Sequence, residues 1–186
     1  EETRIRDNLH FTLKAKFEDL TGESPDGTSV MHVDGTRLRF DMASGEATNF
    51  SVIALGMKPG DKTVSLYHSE RMYAVSAIEE DDDGGWGAMI SDVDPCEGYR
   101  SVTRVGTETI AGRRAVQWSC KDAEPAGSAP DMQIWRDEKL NVFLATEDPC
   151  HRSTLLSFTE GRPDSSLFKV PDDYRELIIP TPSAKP

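Results

Sequence analysis

Leu9, Phe11, Leu13, Ala15 and Phe17 alternate with His10, Thr12, Lys14 and Lys16, and this period of two constrains the chain more than any other feature. Side chains of an extended strand point to alternate faces, so the pattern predicts a strand with one face on a core and one in water. Turn residues at 21–27, Thr-Gly-Glu-Ser-Pro-Asp-Gly, end it. Val30 to Val33 reads as a second strand, closed by the hairpin signal Asp34-Gly35. Leu38, Phe40 and Met42 then point one way while Arg37, Arg39 and Asp41 point the other. These early strands are expected to form an antiparallel meander.

Further strands are expected over 49–55, 63–67 and 72–78. A hairpin over 102–110 and 113–120 turns about Ala111-Gly112 and puts Val116, Trp118 and Cys120 on one face. A pair follows over 132–136 and 140–146, and a last strand over 153–158. Short strands at this spacing indicate a mainly β protein. Helix is confined to one or two short pieces: a turn within the irregular stretch 87–98, and a turn through Ser165, Ser166 and Leu167. There Asp164 is the cap, Phe168 faces the core and Pro171 stops the turn. Five successive acids from Glu79 to Asp83, followed by Gly84-Gly85, predict a solvated loop, and the residues between Glu124 and Pro130 another. A length of 186 residues supports one well-buried domain, read as 1–179, with a polar tail at 180–186.

Charge excludes some functions. With 21 basic and 33 acidic residues the net charge is −12, which repels phosphates and argues against nucleic acid or an anionic membrane surface as partner. No run approaches the roughly 18 apolar residues of a membrane helix, so the chain is expected not to be transmembrane. The charged start, Glu1 to Asp7, does not resemble a signal peptide. Cys96, Cys120 and Cys150 permit one internal disulfide and leave one thiol over. All three are expected at one end of the sheet, and each of the three pairings stays open.

The search for catalytic chemistry finds little. Cys150 and His151 are adjacent, but neighbours on an extended chain point to opposite sides, which is poor geometry for proton transfer. His10, His32, His68 and His151 are isolated, and no zinc, calcium-loop, phosphate-loop or Gly-x-Ser-x-Gly pattern occurs. No cofactor and no metal are expected, and an enzyme using clustered carboxylates or His68 and His151 is the minor alternative.

The order of several weak motifs carries more than any one of them. Asp34-Gly35-Thr36-Arg37-Leu38-Arg39-Phe40-Asp41 resembles the glycine turn and Arg-x-Arg strand of the lipoprotein-carrier-like (LolA/LolB-like) superfamily. Ser65-Leu66-Tyr67 with Arg71-Met72-Tyr73 is similar to its tyrosine-bearing strand pair, and 105–113, Val-Gly-Thr-Glu-Thr-Ile-Ala-Gly-Arg, to its Gly-x-Glu-x-Ile-x-Gly hairpin. Ile134-Trp135-Arg136-Asp137 is similar to its Trp-x-Asp strand end, and 167–174, Leu-Phe-Lys-Val-Pro-Asp-Asp-Tyr, to its closing segment. The likeness runs from about Leu9 to Tyr174 and is nearest to exported bacterial domains of unknown function that open directly with a strand. It implies an antiparallel half-barrel, a periplasmic or extracellular location, and a hollow that in relatives receives acyl chains.

A strongly curved sheet with one apolar face leaves part of its concavity to be filled, and each buried CH₂ of a guest contributes ~0.8 kcal/mol. The expected lining is Phe11, Leu13, Leu38, Phe40, Val116, Trp118 and Trp135, with Arg37 and Arg39 at the rim to hold an anionic head group. The same seven apolar residues would equally make an ordinary core, and outward arginines on a strand are commonly plain surface charge. The functional expectation is a non-enzymatic exported domain that binds a lipid or lipidated partner. The alternative is a cell-envelope module that meets a protein partner through a strand edge or the acidic loop.

Overall fold

The computed structural model of the protein describes residues 8–44, 47–58, 60–78, 96, 98–124 and 129–178. The acidic run 79–83, most of the stretch 87–98 in which a turn is expected, most of the 124–130 loop and the tail 180–186 lie outside the described residues. Among the described residues there are twelve strands: β1 His10–Asp19, β2 Gly27–Asp34, β3 Arg37–Ser44, β4 Ala47–Ala54, β5 Lys62–Tyr67, β6 Met72–Ala77, β7 Tyr99–Ile110, β8 Arg113–Ala123, β9 Met132–Asp137, β10 Phe143–Glu147, β11 His151–Glu160 and β12 Arg175–Glu176. They form one sheet in the order β12-β6-β5-β4-β3-β2-β1-β11-β10-β9-β8-β7, and the sheet does not close into a barrel. Neighbours are antiparallel except β12, which lies parallel to β6.

Two meanders make up this order. β1 to β6 run in sequence on one side and β7 to β11 on the other, and the seam between them is the pairing of β1 with β11. The first strand therefore carries the alternation that organises everything else. Its apolar set Phe11, Leu13 and Ala15 is buried, together with Met31 and Val33 of β2 and Leu38 of β3. Ala115 of β8, Val142, Leu144 of β10 and Leu155 of β11 belong to the same cluster. Leu38 and Phe11 are fully buried, and full burial of such a side chain stabilises by about 1.5–3 kcal/mol.

The turns follow residue chemistry. Ala111 and Gly112 both have positive φ, 46° and 79°, as a tight two-residue hairpin with the twist of its strands requires. Gly27 opens β2 at a crowded point, since a Cβ there would lie 2.2 Å from the Phe17 ring and 2.4 Å from the Ala43 carbonyl oxygen. Asp164 accepts a hydrogen bond from the Ser166 amide at 2.8 Å and caps the 3-10 turn Ser165–Phe168.

One expectation needs correcting. The strand expected from Leu140 begins at Phe143 instead, because the Asp137 carboxylate accepts the amides of Lys139 and Leu140 at 3.0 and 2.6 Å and Asn141 adopts a φ of 53°. These contacts spend 138–141 on a tight turn. Of the one or two short helical pieces expected, the described residues show the 3-10 turn at Ser165–Phe168.

Candidate functional site

The nine residues singled out from the sequence divide into three groups. Phe11, Leu13 and Leu38 are core, and Phe40 and Trp135 are half-buried residues packed against that core. Trp118 is elsewhere. In the β8–β9 register Gln117 faces Trp135 while Trp118 faces Ile134, so the two tryptophans lie on opposite faces of that pair. Trp118 packs instead around Cys96, Cys120 and Ile134. Val116, on the Trp118 face, is half-buried opposite Arg136. The seven apolar residues are thus not one continuous lining. Parity along β8 separates Val116 and Trp118 from the rest.

The arginine pair is committed to internal contacts. Arg37 pairs with Asp34, which also accepts from the His10 ring at 2.8 Å and lies 3.3 Å from Arg162. The Arg37 guanidinium also stacks 4.9 Å from the centre of the Phe168 ring. Arg39 is only 13% exposed and donates to Asp41 at 2.7 Å and to the Leu167 carbonyl at 2.9 Å. Strand periodicity does put both arginines on the face opposite Leu38. That face is covered because the chain returns 128 residues later and lays its 3-10 turn over it.

On this covered face a chain of polar contacts links β1, β2, β3 and β4 with the turn after β5 and the segment before β12. The Ser51 hydroxyl donates to Asp41. Since its one proton is used there, the Ser51 oxygen accepts from His68 Nε2 at 2.7 Å. Neutral His68 then carries its proton on Nε2, and Nδ1 accepts from the Tyr174 hydroxyl at 2.5 Å. On the other side of Asp41, His32 Nε2 lies at 3.6 Å and its Nδ1 bonds Thr12 Oγ1 at 3.0 Å. Burial pushes the Asp41 carboxyl up, but bonds from His32, Ser51 and Arg39 outweigh it and hold it below its ordinary value. Burial and the nearby Arg39 charge push His68 down, against the pull of Asp41.

Ser51 beside His68 has the atoms of a nucleophile and its base, but Ser51 is fully buried and its proton faces Asp41. A substrate has no approach to that oxygen, and the set is structural. At Cys150 the chain makes a turn in which Asp148 accepts the amides of Cys150 and His151 at 2.7 and 2.8 Å. Cys96 and Cys120 form the disulfide, leaving Cys150 as a half-buried thiol. No group of three or more His, Cys, Asp and Glu side chains placed to hold a metal occurs among the described residues.

Among the described residues two open cavities stand out, and neither is lined by any of the nine. One of about 500 Å³ is lined by Gly112, Arg113, Arg114, Asp137, Glu138, Lys139 and Glu160, a polar set joined by the Arg113–Asp137 and Arg113–Glu160 ion pairs. The other, about 320 Å³, lies beside the β7 bulge at 104–107. Apolar surface remains in a different place. Met42, Phe50, Tyr67 and Met72 stand opposite one another across β3, β4, β5 and β6. Met42 and Tyr67 are 36% and 38% exposed, and the Phe50 and Tyr67 rings meet at 5.5 Å. Along β3, Met42 continues the face of Leu38 and Phe40, so this row extends the core into the open. Sequence reasoning missed it, although Met42 follows in parity from Leu38 and Phe40 and the hairpin registers carry that face across three turns. His68 and Tyr174 are 106 residues apart, and no local pattern announces their contact.

The sequence matches no protein-family model and no curated protein. Its fold is that of solved structures. Pseudomonas aeruginosa MucB, in its complex with MucA, aligns over 93% of this chain at 16% identity with a TM-score of 0.60. MucB crystallised by itself aligns over 91% at 11% identity with a TM-score of 0.57. The chain spans 59–60% of those MucB chains. LprF from Mycobacterium bovis aligns over 90% of this chain and 91% of its own at 12% identity, with a TM-score of 0.45.

Proposed function

We propose that this is a non-enzymatic, exported binding domain of the cell envelope that takes an apolar guest, an acyl chain or a lipidated partner, on the inner face of a curved sheet. The observation that carries it is the half-exposed row Met42, Phe50, Tyr67 and Met72, continuous with the buried core through Phe40. Curvature is supported by the full burial of Phe11, Val33 and Leu38 on one face of a single sheet, a face that the described strands can bury only by bending over it. Of the sequence candidates, Phe40 and Trp135 reach the surface beside the core and serve as contacts, whereas Phe11, Leu13 and Leu38 form the floor beneath them. Arg37 and Arg39 position the closing segment and leave a head group to other residues. Export is supported by the Cys96–Cys120 disulfide, a bond that persists in oxidising compartments.

A guest with ten methylenes on such a row, half of them desolvated, would gain about 4 kcal/mol. That corresponds to millimolar affinity before any lid or partner contributes. The test is mass spectrometry of an organic extract of the purified protein together with titration of a fluorescent fatty acid. Co-purifying acyl chains and probe binding that Phe50→Asp weakens at least tenfold are expected. An empty extract together with no probe binding overturns the proposal.

A second function, binding a segment of another protein, is favoured by the fold shared with MucB, which is solved in complex with MucA. Light scattering and capture with a delipidated sample separate the two, because a protein partner would be held without acyl material.

A further inference from the structure

The segment 164–177 returns across the outer face of the first meander and is fastened at several points. Phe168 is buried with Ile53, Val64 and Leu66. Arg39 donates to the Leu167 carbonyl, and the Tyr174 hydroxyl meets His68. Arg71 and Asp173 face each other at 3.4 Å. The amides of Arg175 and Leu177 donate to Arg71 and Tyr73 carbonyls at 3.0 and 2.7 Å, which places β12 on the edge of β6. Beneath the segment the outer face changes character. On β1 and β2 it shows Thr12 and His32, whereas on β4 and β5 it shows Ile53, Val64 and Leu66. The segment is thus a cover over an apolar patch and one sheet edge, and the histidine at its contact with the sheet is His68.

We propose that 164–177 is an acid-loosened strap: protonation of His68 weakens its grip on the sheet and uncovers the Ile53–Val64–Leu66 patch together with the edge of β6. The groups facing His68 are Arg39 and Asp41 from β3, Ser51 from β4 and Tyr174 from the strap, with His32 of β2 beyond Asp41. With the strap docked, His68 is partly desolvated, touches the Tyr174 ring edge-on at 5.8 Å, and has Arg39 held nearby by the Leu167 carbonyl. Both burial and that cation disfavour a second positive charge. Undocking returns the ring to water and frees the Arg39 guanidinium to move off. The undocked state therefore binds the proton more tightly, and by linkage acid favours undocking. Protonation also reverses the His68–Tyr174 bond, since Nδ1 then donates and the phenol accepts.

Hydrogen exchange of the full chain tests this directly. The amides of Arg175 and Leu177, corrected for intrinsic exchange, are expected to lose about three- to tenfold in protection between pH 7.5 and 5.5, tenfold being the effect of one full pKa unit. Core amides such as Val33 should hold theirs. His68→Gln, which keeps a donor and an acceptor without the charge, should flatten the response. Unchanged protection in the wild type, or an equal loss in His68→Gln, overturns the proposal. Should His68→Gln not fold, the ring-proton titration of His68 decides: an apparent pKa that rises toward 6.5 in Tyr174→Phe supports the strap, and one that stays put overturns it.

Discussion

The disulfide offers the sharpest quantitative test of how the second meander is held. Cys96 and Cys120 are both buried and lie 24 residues apart, closing a loop that contains all of β7 and the β7–β8 turn. Cross-linking removes loop-closure entropy from the unfolded chain by about 2.1 + 1.5R ln n cal/mol/K, which for this loop is about 3.5 kcal/mol at 25 °C. In a chain of this length each kcal/mol moves Tm by about 2–4 °C, so breaking the bridge should lower Tm by roughly 7–14 °C. Two samples separate cross-link from packing. Reduced wild type keeps both sulfur atoms, whereas Cys96→Ala with Cys120→Ala also removes them from contact with Ile134, Trp118 and Tyr99. Urea unfolding should place the reduced protein about 3.5 kcal/mol below the oxidised one and the double variant lower still. A reduced protein within about 1 kcal/mol of the oxidised one would refute the entropic account. Equal destabilisation by Cys150→Ser would show that the pairing is not Cys96 with Cys120.

Phe168→Ala should destabilise by about 3–5 kcal/mol in urea unfolding, because it empties a site enclosed by Ile53, Val64 and Leu66. Asp34, Asp41 and Asp137 all have carboxyls held below their ordinary value in the fold: burial raises each, but bonds from Arg37 and His10, from His32 and Ser51, and from Arg113, respectively, outweigh it. A depressed folded pKa contributes stability that is complete above the unfolded value near 3.9 and is lost as pH falls through the folded values. Denaturant midpoints should therefore fall steeply below about pH 4, and a flat profile from pH 5 to 3 would contradict it. Asp137→Asn should cost about 3 kcal/mol, since it takes the buried counter-charge away from Arg113 and weakens the turn at Lys139 and Leu140. Chemical denaturation read by tryptophan fluorescence would measure it.

Much of the fold was legible because its code is local. Alternation in Leu9 to Phe17 and in Arg37 to Met42 gave strand and face, and Ala111-Gly112 gave a turn, since each depends on residues one or two apart; the turn read at Asp34-Gly35 falls one residue later, at Gly35-Thr36, with Asp34 paired in β2 opposite Arg37. The pairing of β1 with β11 depends on residues some 140 apart, and nothing local specifies it. The same limit explains the arginines. Their outward parity was read correctly, but whether an outward face meets water depends on what returns to cover it. Here that is Leu167, and its carbonyl is reached only after most of the chain has folded. The candidate lining failed as a single surface for a related reason. Trp118 and Trp135 are both aromatic strand residues, and only the β8–β9 register shows that they stand on opposite faces.

That division between core and open row leads to a prediction separating the proposed guest site from mere packing. Leu38 is fully buried while Phe50, two strand registers along the same face, is half-exposed. Leu38→Ala should therefore cost about 2–5 kcal/mol of stability. Phe50→Asp loses less burial and keeps the β4 backbone, so it should cost at most about 1.5 kcal/mol. If the guest lies on the row, the binding order is the reverse of the stability order. The fluorescent fatty acid should bind Leu38→Ala normally at a temperature where that variant is folded, and bind Phe50→Asp at least tenfold more weakly. If the guest instead enters the packed interior, the cavity left by Leu38→Ala would tighten binding and Phe50→Asp would leave it unchanged. One pair of variants measured by melting and by titration decides between an open ledge and a hidden pocket, and an outcome of the second kind would remove Met42, Phe50, Tyr67 and Met72 from the functional surface.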